Sequence, residues 1–164
     1  MITQATTPEH FAAARSLMAE YGAFIAAALG PAHACHTSLG PEIAALETRY
    51  GPPRGFVLLA QPAGQKDFLG CIAVHELSGS NPARAEIKRL WVAPAARGCK
   101  SGSALLDSAL DRIRRLGYCE AVLDTLPSVM PEAVRLYESR GFQLTERFND
   151  NPVPGVVFYR RTLD

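Results

Sequence analysis

Leu105, Leu106, Ala109, Leu110, Ile113 and Leu116 recur at the spacing of one helical face, and the run stops at Gly117. β-rich runs flank this helix at residues 85–92 and 121–126. A helix with a single apolar face has to lay it on another layer, so the neighbouring strands are its natural cover. The rest of the chain extends the pattern. Residues 2–6 predict a short strand, and Thr7 then caps a helix whose first position is Pro8. That helix reads to Leu29 through Phe11, Ala14, Leu17, Met18, Tyr21 and Ile25; Gly22 is where it could divide, and Gly30-Pro31 stops it. Residues 41–50 read as a second helix, and Gly51-Pro52-Pro53-Arg54-Gly55 as a turn. Residues 56–60 and 68–77 predict a hairpin, 131–140 a helix capped by Gly141, and 142–145 and 156–159 two last strands. The order β-α-α-β-β-β-α-β-α-β-β predicts mixed α/β around one sheet, and no linker divides residues 1–164 into two domains.

Composition narrows the function. Seventeen Lys+Arg against sixteen Asp+Glu give a net charge of +1, which argues against a nucleic-acid binder acting through bulk charge. Thirteen of the basic residues lie in 84–164 against ten acidic ones, so that half leans toward an anionic ligand. The longest apolar stretch, residues 23–29, falls short of the ~20 residues a bilayer needs. The N-terminus lacks a basic start and apolar core, so no signal peptide is expected. Cys35, Cys71, Cys99 and Cys119 form no C-x-x-C pair, which reads as reduced thiols in the cytoplasm. His33-Ala34-Cys35-His36 crowds three potential ligands into four residues with no fourth to converge on them. A loop after a helix is the better reading, and no metal is expected.

Chemistry concentrates in Arg97-Gly98-Cys99-Lys100-Ser101-Gly102-Ser103-Ala104, between a strand and the long helix. Small residues admit a ligand close to the backbone, and the free N–H groups of a helix start suit phosphate. Arg97 and Lys100 add mobile positive charge. The run is neither a Walker loop nor a Rossmann fingerprint, since G-x-x-x-x-G-K-[ST] and G-x-G-x-x-G are both absent. By itself a glycine turn before a helix is equally a structural helix start.

With its surroundings it is more. Leu90-Trp91-Val92-Ala93-Pro94 leading into Arg97-Gly98-Cys99-Lys100-Ser101-Gly102 resembles the acetyl-CoA motif of the GNAT superfamily of N-acyltransferases. So does Ala133-Val134-Arg135-Leu136-Tyr137-Glu138-Ser139-Arg140-Gly141-Phe142, some thirty residues on. The family writes the first as L-x-V-x-P followed by Q/R-x-x-G-x-G/A, and the second as A-x-x-L-Y-x-x-x-G-F. Two departures stand out. Lys100 replaces the family's middle glycine, although its backbone N–H remains, and Met130 replaces an Asn often found seven residues before the tyrosine, leaving Ser128 to make that contact.

The resemblance implies a mostly antiparallel mixed sheet of about seven strands, splayed between the fourth and fifth, with helices on its faces. It implies acetyl transfer from acetyl-CoA, as co-substrate, to a primary amine, with Leu90, Trp91, Val92, Arg97, Gly98, Cys99, Lys100, Ser101, Gly102 and Ser103 at the cofactor. A backbone N–H near Val92 would stabilise the oxyanion. Tyr137 would return a proton to the departing thiolate, its phenol pKa of about 10 being close to a thiol's, whereas the plain alternative is a core tyrosine. Glu86 is the candidate base, its position matching that of a general-base glutamate in the histone acetyltransferase branch. On a regular strand it shares a face with Lys88, Leu90 and Val92, which a bulge would reverse. The alternative there is a salt-bridged strand glutamate. Asp124 and His75 are weaker base candidates, and water could serve instead. Cys99 reads as a filler at a variable position. The acceptor is expected between Asp124, Thr125 and the loop of residues 149–155, including Asn151. A small-molecule amine fits better than a protein N-terminus or lysine, and the competing class is a non-catalytic acyl-CoA-binding module. Neither nucleic acid nor membrane is expected as partner; a homodimer is compatible with everything above.

Overall fold

The computed structural model describes residues 1–30, 34–81 and 83–163. Among these residues seven strands form one sheet: β1 (Ile2–Gln4), β2 (Phe56–Ala60), β3 (Gly70–Leu77), β4 (Arg84–Val92), β5 (Glu120–Thr125), β6 (Gln143–Thr145) and β7 (Val157–Thr162). Their spatial order is β1-β2-β3-β4-β5-β7-β6. Every neighbouring pair is antiparallel except β4 with β5, which is parallel. This is the mixed, mostly antiparallel sheet that the motifs imply. β4 and β5 are in register only from Arg84↔Glu120 to Glu86↔Val122, and past Glu86 the two strands diverge. That divergence is the expected splay.

Among the described residues five α-helices cover the sheet: α1 (Pro8–Leu29), α2 (Ala34–Ala44), α3 (Leu46–Arg49), α4 (Ser101–Arg115) and α5 (Pro131–Ser139). The patterned face of α4 buries Leu105, Leu106, Ala109, Leu110 and Ile113 against Ile72, Val74, Ile87 and Leu123. On the other face, Ala14, Leu17 and Met18 of α1 and Leu46 of α3 meet Val57, Leu59, Cys71, Ala73 and Trp91. Each fully buried Leu in such a layer contributes about 2 kcal/mol by removal from water. Thr7 Oγ1 accepts from the His10 N–H at 3.3 Å, so the predicted cap of α1 is present.

Two helical expectations need correction. Gly22 does not divide α1; it clears space, because a Cβ there would collide with Leu39 of α2. The second helix does not start at Pro41 but at Ala34, runs through Pro41, and gives way to α3 after Ala45. Proline favours a first turn, yet the docking of Leu39 under Gly22 carries the helix across it. The backbone at residues 34–36 is therefore helical, not loop. His33 and the side chains of Cys35 and His36 lie outside the described residues, and with them the metal reading of that cluster. Among the described residues no helix is long and apolar enough to cross a membrane.

Candidate active site

β4 carries one extra residue opposite β3, since Ala73 pairs with Lys88 but Cys71 with Trp91. Arg89 sits at this bulge in the left-handed region, with φ of +58°. The face order changes there: Ile87 and Leu90 join the α4 core, while Trp91 joins the α1 core. Glu86 and Lys88 therefore do not share a face with Leu90 and Val92, and the bulge has reversed the regular-strand expectation. Arg89 is clamped by Glu42 of α2 through Nε–Oε1 at 2.8 Å and Nη2–Oε2 at 2.5 Å. The Tyr50 hydroxyl donates to the same Oε1 at 2.6 Å. Burial works against the Glu42 carboxylate, but Arg89 and Tyr50 outweigh it and hold its pKa below the ordinary value. Past the bulge, the Ala93 N–H donates to Leu69 O at 2.8 Å, toward β3. Strand alternation then turns the N–H and C=O of Val92 into the gap beside β5, where Arg97 Nε donates to Val92 O at 3.3 Å.

On one side of the gap lies a cleft of about 620 Å³. Leu90, Trp91, Val92, Arg97, Gly98, Lys100, Ser101, Gly102 and Ser103 all line it. Cys99 is exposed and does not. No side chain caps α4, and its first intrahelical bond is Ala104 N–H to Lys100 O. The N–H groups of Ser101, Gly102 and Ser103 thus have no acceptor within the helix. This is a cradle that suits a pyrophosphate. Arg97 is less mobile than its sequence suggests, because its guanidinium stacks on Trp91 at 5.1 Å and Phe24 at 5.8 Å. Met130 lines the cleft.

On the other side is a cavity of about 850 Å³, which shares Leu90 and Met130 with the cleft. Asp124, Thr125 and Asn151 line it. Glu86 is 4% exposed at its floor. Lys88 Nζ lies between two carboxylates, 2.9 Å from Glu86 Oε1 and 3.5 Å from Asp124 Oδ1. Asn149 Nδ2 bridges the same pair, donating at 3.0 Å to Glu86 Oε1 and at 3.0 Å to Asp124 Oδ2; Asn151 Nδ2 adds 2.9 Å to Oδ2. His75 Nε2 stands 2.9 Å from Glu86 Oε2, close but poorly aligned for a hydrogen bond. Burial alone would raise the Glu86 carboxyl, but His75 and Lys88 hold it down at about 2. Lys88 is held above its usual pKa because Asp124 and Glu86 outweigh its burial. Sequence reasoning missed the Arg89–Glu42–Tyr50 clamp and the role of Asn149. Only a charge at every position from Glu86 to Arg89 except Ile87 hinted at buried pairing.

Tyr137 belongs to the larger cavity, while its α5 neighbours Ala133 and Leu136 line the cleft. It is 6% exposed, its ring packs edge-on against Phe142 at 5.9 Å, and it lines the larger cavity. Its hydroxyl makes no hydrogen bond to another described residue. Burial, then Tyr21 and Asp124, push its pKa above the ordinary phenol value, so it keeps its proton. Among the described residues no three His, Cys, Asp or Glu side chains group as metal ligands would.

The profile of the acetyltransferase (GNAT) family matches residues 18–142. A Schizosaccharomyces pombe protein described as an uncharacterized N-acetyltransferase, C1271.07c, is 44% identical over 119 residues, covering 73% of this chain and 71% of that protein. Mycothiol acetyltransferase of Kocuria rhizophila is 33% identical over 93 residues, which are 56% of this chain and 30% of its own. The yncA structure from Salmonella typhimurium, determined with its cofactor acetyl-CoA, has the same fold at a TM-score of 0.68 and 20% identity, covering 100% of this chain and 94% of that one.

Proposed function

This chain belongs to the acetyltransferase (GNAT) family, and from that premise we propose that it transfers the acetyl group of acetyl-CoA to the primary amine of a small molecule. The observation that carries the reading is Tyr137: a protonated hydroxyl, without a hydrogen bond to another described residue, in the larger of two cavities that share Leu90 and Met130. The free N–H groups opening α4 would hold the pyrophosphate of acetyl-CoA, which supplies the activated acyl group. The Val92 N–H, turned into the gap, would receive the carbonyl oxygen as it gains charge. Tyr137 would hand its proton to the departing thiolate. Its raised pKa does not forbid this, because a thiolate formed in the same buried surroundings has a raised proton affinity too.

Glu86 takes a different part from the base first expected of it. A carboxylate held at about 2 is a poor proton acceptor, and its Oε1 already accepts from Lys88 and Asn149 while Oε2 faces His75 at 2.9 Å. We assign it to anchoring Lys88 and the β6–β7 loop, with the amine's proton leaving to water. A small-molecule acceptor is supported by that loop, which walls the larger cavity through Asn149, Asn151 and Pro152. The mycothiol acetyltransferase relative, named for a small molecule, points the same way. We place the enzyme, one domain over residues 1–164, in the cytoplasm; Cys71, Cys99 and Cys119 as free thiols support this.

The test is Tyr137→Phe, assayed by thiol release from acetyl-CoA with a panel of amines. We expect kcat to fall by roughly 10²–10⁴-fold, with acetyl-CoA affinity and melting temperature nearly unchanged. A variant that turns over at wild-type speed would refute the acid assignment. Failure of the wild type to release thiol with any amine would refute the enzymatic reading as stated.

A further inference from the structure

Most charges in the larger cavity are already neutralised from within. Arg89 is paired with Glu42, and Lys88 with Glu86 and Asp124. Three lining charges are left over: the second of the two carboxylates that share Lys88, then Arg49 and Asp150. Arg49, at the end of α3, has no carboxylate within 4 Å among the described residues; its guanidinium lies 5.7 Å from the Tyr50 ring centroid, interacts with the Tyr50 hydroxyl and feels Glu42 and Glu86 at longer range. Asp150, in the β6–β7 loop, has no ion-pair partner among the described residues. Arg49 and Asp150 stand on different walls. The α3 wall lies on the β4 side of the gap, where Tyr50 stacks against His75 of β3. The loop wall lies on the β5 side, tied to Asp124.

A cavity left with one cation on one wall and a surplus of carboxylate on the other is complementary to a dipolar guest. From this we infer that the acceptor amine also carries an anionic oxyacid group, carboxylate or phosphate, received by Arg49 while the amino group points toward Asp150 and Asp124. The guanidinium fork matches either oxyacid with two parallel N–H donors, which fixes orientation as well as affinity. The opposite arrangement, with the amino group at Arg49, would set like charges together. This inference rests on the acetyltransferase reading only for which end of the guest reacts; the binding of the guest does not depend on it.

Binding and turnover are therefore measured separately. Wild type, Arg49→Gln and Arg49→Glu, each saturated with coenzyme A, are titrated by calorimetry with three matched straight-chain amines. These end in a carboxylate, a phosphate or an uncharged carboxamide. Arg49 is exposed, so the variants should fold as the wild type does, and melting curves check this. We expect the wild type to bind at least one acidic amine tenfold or more tighter than the carboxamide. Arg49→Gln should erase that margin and Arg49→Glu invert it. The carboxylate and phosphate arms separate the two oxyacids. Equal affinity for charged and uncharged amines, no binding of either acid, or a margin that survives in Arg49→Gln would each overturn the inference. Thiol release on the same compounds reports on the enzyme itself: a margin in binding without any turnover would uphold the site and remove the catalytic reading.

Discussion

Glu86, Lys88 and Asn149 show how far single residues could be read. The pairing of Glu86 with Lys88 was visible as a spacing of two on a strand, but its depth was not, because burial depends on the loop that later folds across it. The depressed Glu86 carboxyl has a consequence for stability. Its folded pKa of about 2 lies below the ordinary ~4.3, so its contribution is present above pH ~4.3 and is lost as pH falls toward 2. That contribution is at most about 3 kcal/mol, from the size of the shift. Urea midpoints at pH 5, 4 and 3 should drop more steeply for the wild type than for Glu86→Gln; parallel slopes would mean the carboxylate is not held down. Lys100 offers a second check. It occupies the left-handed region at φ of +57° where its family writes glycine. Lys100→Gly should remove about 1 kcal/mol of strain and raise the melting temperature by ~2–4 °C.

At the scale of elements, α4 was the most legible segment and α2 the least. The face of α4 is written in six apolar residues and closed by a glycine, so local sequence alone suffices. The start of α2 was misplaced because Pro41 is a first-turn signal, and nothing local reveals that Leu39 docks beneath Gly22. The opening turn of α4 yields a prediction that separates stability from binding. A Cβ on Gly102 would meet Leu136 and Val92 at an ordinary 3.7 Å. Gly102→Ala should therefore fit, stabilising the ligand-free protein by about 0.5 kcal/mol through helix propensity. If acetyl-CoA approaches this backbone closely, the same change should weaken its binding several-fold, and more than Lys100→Ala does. Calorimetry giving the reverse order would mean that side-chain charge, not backbone N–H groups, holds the cofactor.

Across the whole molecule, the Arg89–Glu42 clamp joins the helical layer to the strand that opens the sheet. Both side chains are 8% exposed, and the pair spans forty-seven residues of sequence. Glu42→Ala would leave a buried guanidinium without its partner, a loss of roughly 3–5 kcal/mol. Replacing both residues by methionine should recover most of that stability in urea unfolding, since well-packed apolar side chains often substitute for a buried pair. A double variant as unstable as the single one would show that the clamp is needed for packing beyond its charge.

The sequence by itself determined the layers, the order of strands and helices, the family motifs and the small-residue turn before α4, because periodicity, capping and glycine placement act over a few neighbouring residues. Tertiary structure alone decided how the site is wired. The bulge at Arg89 turned Glu86 and Lys88 away from the face of Leu90 and Val92. Asn149, sixty-three residues from Glu86, closed over it, and Tyr137 came to line the larger cavity. One added residue in a strand reverses the facing of everything beyond it, and a buried charge takes its pKa from whichever partners the fold brings near. Neither effect is local, so neither can be read along the chain.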